Sequence, residues 1–205
     1  RDCNCAVFGC SGDKAMRKFA IYNVASGEIK RSVFCSEADV ALNAASDESW
    51  VEADVSDASC YIQDGEPTHF PEKPSPHHEW DWPTKSWLPN LDAARESQLQ
   101  AWNAWRDREL VAGHSHNGHV FHSDDRFMAE LQLILKGYER GHLTGTFAIR
   151  TRDNGTLQMT HAEIEGLLLM IGLHRQAIYA QSWVGKDALA GLTTLEDIVA
   201  GGPPS

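Results

Sequence analysis

Six of the chain's eight prolines fall between Pro67 and Pro89, in PTHFPEKPSPHHEWDWPTKSWLP. Proline fixes φ and removes a backbone donor, so neither a long helix nor a central strand can run through this stretch. It predicts an extended connector that divides the chain in two. The expected organisation is an N-terminal Cys-containing arm (1–15), a small mostly-β module (16–66), the Pro/Trp-rich connector (67–89) and a helix-hairpin domain (90–205). The fold class is therefore α+β. Trp80, Trp82 and Trp87 lie in the connector, where a plain solvated linker would not need them. Either these rings lie back on a neighbouring domain or they anchor the connector to a partner subunit, which makes them interface candidates.

Within 16–66, KFAIYNV and EIKRSVF read as two strands around Ala25-Ser26-Gly27, a hairpin signal. SEADVALNAA predicts a short helix with Ser36 as its N-cap. ESWVEADV and SCYIQDGEPTHF follow as strands, the second turning at Asp64-Gly65. Between Ser36 and Glu66 nine acidic residues face no Lys or Arg, an acidic solvated face that could also meet a basic partner. Cys35 and Cys60 read as small core residues, and no partner base for either is recognisable.

The second half alternates helices with hairpins. Asn90 is expected to cap LDAARESQLQAWNAWRDRELV, with Leu91, Ala94, Leu99, Trp102 and Trp105 as the inward stripe. Asp124 is expected to cap DRFMAELQLILKGYE, with Phe127, Leu131, Leu135 and Tyr138 about one turn apart. TFAIRT and TLQM form a hairpin around Asp153-Asn154-Gly155. Thr160 and Glu163 make a capping box for a long helix through Ile164, Leu167, Leu168, Ile171 and Ile178. Thr193 and Glu196 repeat the device for a short last helix.

A net charge of −11 excludes ready approach to a phosphate backbone, so no nucleic acid is expected as a partner. No apolar run reaches the roughly 20 residues that cross a bilayer, so no membrane insertion is expected. The first fifteen residues lack the apolar core of a signal peptide. Met16 ahead of RKFAIYNV reads as a natural start, which would make 1–15 a leader or extension. Cys3, Cys5 and Cys10 crowd that arm. Their spacing lacks a fourth metal ligand and favours thiols that cross-link to other chains.

GHSHNGHVFHSDD, residues 113–125, poses the sharpest chemical question. Asn117-Gly118 signals a type I′ hairpin turn. That register sets His116 opposite His119, Ser115 opposite Val120 and His114 opposite Phe121. His114, His116 and His119 then share one face with Phe121, while His122 falls on the other, beside Val120. Three imidazoles could hold a catalytic zinc with an open position. Against this, the hairpin tip is expected to be exposed, and Asp124 is committed to capping the next helix rather than to orienting a ligand. Asn117, Gly118 and Asp124 thus read as a structural turn and cap, and the three histidines as a polar strand face. No nucleophile elbow, P-loop, dinucleotide fingerprint or H-E-x-x-H motif occurs, and no cofactor is expected.

The run AWNAWRDRELVAGHSHNGHVFHSDDRF resembles a domain-of-unknown-function family frequent in proteins from the tail-fibre and baseplate gene neighbourhoods of tailed bacteriophages. Asn103, Arg106, Asp107, Gly113, Gly118, Phe121, Ser123 and Asp124 carry the resemblance. The D-N-G turn at Asp153 to Gly155, the long helix containing Tyr179 and the closing GLTTLEDI are similar too. This chain departs from the pattern at His114 and His116, where members have aromatic or aliphatic residues, and at His122, where they usually have Asp. Residues 16–71 are similar to the small modules that precede this domain in such phage proteins. The resemblance implies a non-enzymatic structural component of a tailed-phage virion, at the tail tip, baseplate or tail-fibre attachment. Its partners would be other tail, baseplate or fibre proteins and further copies of itself, a trimer being one candidate. The implied location is the virion, with the host cytoplasm during assembly. A tail-fibre assembly chaperone absent from the particle is the alternative, and a metal-dependent envelope hydrolase a third reading.

Overall fold

β-Branched and aromatic runs set the first unit. In the computed structural model, which describes residues 15–204, the chain divides between Pro89 and Asn90 into two compact units. The fold is mixed α+β. Cys3, Cys5 and Cys10 lie outside the described residues.

β1 (Arg17–Asn23) is the middle strand of an antiparallel sheet, between β2 (Ile29–Cys35) and β3 (Glu48–Glu52). Phe19, Ala20 and Ile21 are all buried, so both faces of β1 are covered. Ala20 belongs to a core with Ile29, Cys60 and Ile62. SEADVALNAA does not make the helix expected of it. Ser36 is a buried residue whose hydroxyl donates to Asp39 at 2.5 Å, and only Val40–Asn43 winds into a 3₁₀ turn, with Asp39 at its N-cap. Arg31 donates to both carboxylate oxygens of Glu48, at 2.8 and 2.6 Å. Those bonds, helped by the Ala45 N–H, hold the Glu48 carboxyl down at about 2.

The proline-rich stretch is not an extended connector. Pro67 and His69 lie in β5 (Glu66–His69), which pairs with β4 (Cys60–Gln63) around Asp64 (φ 54°) and Gly65 (φ 82°). Residues 78–89 form a further hairpin, β6 (His78–Asp81) with β7 (Ser86–Pro89). Two-stranded hairpins leave every strand an edge, and an edge strand tolerates proline. The prolines therefore limited how far the sheets could grow without preventing pairing.

The second unit holds α1 (Leu91–Ala112), β8 (His114–His116), β9 (His119–Phe121), α2 (Asp125–Glu139), β10 (Thr146–Arg150), β11 (Thr156–Thr160), α3 (His161–Ala190) and α4 (Leu195–Ala200). Asn90 caps α1 by accepting from the Ala93 N–H at 2.9 Å, and Thr160 with Glu163 forms the expected capping box on α3. The last cap shifts by one residue: Thr194, not Thr193, accepts from the Asp197 N–H at 3.1 Å. α1 buries Ala94, Trp102 and Trp105 but leaves Leu99 exposed. Trp102 and Trp105 pack with Ile178 and Leu189. Gly185 of α3 lies against the Trp102 indole, so a Cβ there would collide with the ring. A larger core joins Phe121, Phe127, Leu131, Ile134, Ile149, Met159, Ile164, Leu167 and Ile171.

Candidate functional site

The histidine hairpin forms in the predicted register, with His114 opposite Phe121, Ser115 opposite Val120 and His116 opposite His119. Asn117 (φ 50°) and Gly118 (φ 80°) supply the two left-handed residues of its turn. Its surroundings are mostly structural. Phe121 is 1% exposed and stacks on Phe127 with ring centroids 6.4 Å apart. Ser123 is buried, and its hydroxyl donates to the Leu110 carbonyl near the end of α1. Helix ends leave such carbonyls unpaired, so Ser123 closes α1 just before α2 begins. Asp124 Oδ1 accepts from the Phe127 N–H at 2.8 Å and caps α2. From α3, Arg175 donates to the Ser123 carbonyl and to Asp125 Oδ1. Arg152 donates its backbone N–H to the Val120 carbonyl at 2.8 Å and its guanidinium to the Ala112 carbonyl.

Asp124→Ala should therefore lower the stability of the second unit by about 0.5–2 kcal/mol, through loss of the cap. Urea denaturation followed by helical circular dichroism measures this, and an unchanged midpoint would remove Asp124 from that role.

His114, His116 and His119 share a strand face but do not form a ligand set. Among the described residues, no group of three His, Cys, Asp or Glu side chains is arranged to hold a metal ion. The neighbours of the His114 ring are His116, at 6.3 Å between centroids, and His174 of α3, at 4.9 Å. His174 was not anticipated, because helix and hairpin are distant in sequence and only the tertiary fold joins them. The Asp153 carboxyl is held low chiefly by the Thr151 hydroxyl and then by the Gly155 N–H, with His119 a minor contributor.

Burial, and then the charges of His174 and His116, push the His114 imidazole below its ordinary 6.5. The unfolded chain therefore takes up this proton more readily than the folded one. Stability from this group is fully present above 6.5 and is lost as pH falls through the depressed folded value. His114→Gln should flatten that part of the stability-versus-pH curve of the second unit. An unaltered slope on the acid side would contradict it.

Beside the hairpin, a cleft of about 300 Å³ has Phe127, Leu131 and Ile149 among its lining, with His122, Arg126 and Glu130 contributing polar groups. His122 Nδ1 lies 3.9 Å from Asp124 Oδ2, but that carboxylate is already the α2 cap. The cleft lining includes no Ser, Cys or Lys, and the hydroxyl of its Thr151 donates to Asp153.

The residues that carry the family-like pattern on α1 meet α3. Lys186 donates to Asn103 Oδ1 at 2.6 Å, Arg106 donates to the same oxygen at 3.3 Å and to Asp107, and the Arg106 guanidinium sits 5.8 Å from the Tyr179 ring. This network joins two helices through Asn103 Oδ1, which accepts from both Arg106 and Lys186.

In the first unit, Trp80, Trp82 and Trp87 gather with Tyr61 and Phe70. Phe70 lies 4.8 Å from Trp80, and Trp80 lies 5.3 Å from Trp87, its cross-strand partner. Lys85 sits 5.2 Å from Tyr61 and 5.1 Å from Trp82, and donates to the Ser26 carbonyl. All three tryptophans are half-buried. With Tyr61 and Phe70 they form a small aromatic cluster that joins the β4–β5 and β6–β7 hairpins of the first unit, with ring surface still open to solvent. Cys60 pairs across the β4–β5 hairpin with His69, whose Nδ1 lies 3.3 Å from the thiol sulfur. A partner for this thiol therefore exists, contrary to the expectation from sequence, although Cys60 is buried at 3% exposure.

A family model described as "Domain of unknown function (DUF4376)" matches residues 93–200, just over half of the 205-residue chain. No curated protein matches the chain, and no solved structure does.

Proposed function

The chain belongs to the DUF4376 family, and from that premise we propose that it is a non-enzymatic structural component of a tailed-phage virion, at the tail tip, baseplate or tail-fibre attachment. The virion setting comes from the resemblance to proteins of tail-fibre and baseplate gene neighbourhoods. The observation that carries the structural role is how the family-like residues are used. Ser123 closes α1, Asp124 caps α2, and Asn103 and Arg106 bind α1 to α3. A catalytic set would instead aim unsatisfied polar groups at a shared cleft. Here those groups hold a rigid helix-hairpin frame, the property a connecting part needs.

Mass spectrometry of purified particles of the virus that encodes the chain tests this. The expected result is the chain at a fixed copy number relative to known tail proteins. Presence in infected cells but absence from particles would favour the assembly chaperone.

A further inference from the structure

Helix α3 buries one face and leaves the opposite face bare. Ile164, Leu167, Ile171, Ile178 and Leu189 are buried, whereas Met170, Leu173 and Val184 are 41%, 50% and 71% exposed. The exposed three belong to the stripe Gly166, Met170, Leu173, Ala177, Ala180, Val184, whose spacings alternate four and three residues. That is a 3.5-residue repeat, the period that a second helix follows in a coiled coil. The stripe is about 27 Å long at the rise of an α-helix. Leu169 and Trp183 flank it, 62% and 58% exposed.

Between Gly166 and Gly185 the only Lys, Arg, Asp or Glu is Arg175, and that side chain is engaged with Ser123 and Asp125. A chain of net charge −11 thus keeps this length of the helix face free of charge, so that like-charge repulsion between two copies is confined to its ends, where Glu163 of one faces Asp187 of the other. Glycine weakens a helix interior, yet a Cβ added at Gly166 would meet nothing within 4 Å. The chain's own packing does not require that glycine. Close approach by another helix would use it, although Gly172, off the stripe, is equally open.

The stripe is complementary to itself when reversed. Laid antiparallel about a twofold axis level with residue 175, Gly166 faces Val184, Met170 faces Ala180 and Leu173 faces Ala177. Every pair sets a small residue against a large one, and Leu169 comes beside Trp183. A parallel, in-register pair would stack Leu173 on Leu173 and Gly166 on Gly166, giving crowded and hollow layers by turns. We propose that α3 is the dimerisation helix of this protein, packed antiparallel against α3 of a second copy. Such a contact is isologous and closed, as in most homodimers. It commits to two copies, whereas a trimer is the candidate weighed from the sequence. It does not rest on the virion role, because the solution mass of the chain and its presence in a particle are separate measurements.

Sedimentation equilibrium of the full chain under reducing conditions should show a reversible dimer. Ala177→Glu should give a monomer with unchanged helical circular dichroism, since Ala177 is exposed. Leu173→Ala should weaken the dimer at least about tenfold, as one buried leucine per copy is lost. Leu173→Ala with Ala177→Leu should regain most of that loss, because the pair merely exchanges its large and small members. A wild-type monomer at micromolar concentration would overturn the proposal and leave the face to a different protein. So would a trimer, or a dimer that persists in Ala177→Glu. A double variant no tighter than Leu173→Ala would exclude the antiparallel pairing.

Discussion

Phe121→Ala is expected to cost about 3–5 kcal/mol and to weaken all four helices of the second unit together. Phe121 is 1% exposed in a core supplied by α2, α3 and both strands of the β10–β11 hairpin. The hole left by its ring could not close easily. β9 is held on one side by its pairing with β8 and on the other by the Arg152 N–H to Val120. Partial relaxation of this kind keeps the cavity contribution large. Because the α-helices of the described residues all lie in the second unit, helical circular dichroism in urea reads this unit selectively. Replacing His114, His116 and His119 together with Gln should move the same transition far less, since each stays polar and Phe121, which faces His114, keeps its place in the core. A Phe121→Ala loss no larger than that of the triple variant would show that the hairpin is not anchored in the core.

Features governed by neighbours in sequence could be read from the chain. The cap at Asp124, the capping box at Thr160 and the hairpin register from His114 to Phe121 each depend on a few adjacent residues, and each occurs as expected. The one-residue shift at the last helix marks the limit of such rules. Thr193 and Thr194 each have an acidic residue three positions on, and local chemistry alone does not choose between them. The helix expected after Ser36 shortens to a single 3₁₀ turn: Ser36 is buried with its hydroxyl on Asp39, and Asp39 stands at the N-cap in its place. Six prolines within 67–89 point to an extended connector, but Phe70, Trp80, Trp82 and Trp87 gather with Tyr61 instead, contacts distant in sequence that proline content does not register. Two features were present in the sequence and missed. A two-residue turn at Asp64-Gly65 fixes Cys60 opposite His69, and the spacing from Gly166 to Val184 spells the bare stripe of α3. His174 beside His114 had no local signal.

Gly113 and Gly118 bracket the first hairpin strand, and both have positive φ, at 87° and 80°. They should nevertheless respond very differently to alanine. Gly118 sits at the turn tip, where an added Cβ meets nothing within 4 Å. Its substitution should cost only the backbone penalty, about 1–2 kcal/mol. Gly113 carries ψ −178° as the C-cap of α1, a region of backbone space that is essentially glycine's alone. A Cβ there would also run into the Phe121 carbonyl oxygen, with the Val120 side chain 3.3 Å away. That carbonyl belongs to the strand that seats Phe121 in the core, so it cannot yield without shifting the ring. Strain of about 1–3 kcal/mol and overpacking of a similar size together predict a loss of about 2–6 kcal/mol for Gly113→Ala. Urea midpoints of the two variants, followed by helical circular dichroism, measure the difference. Equal losses at the two sites would mean that the passage from α1 into β8 is free to relax, and that Gly113 is there for its φ alone.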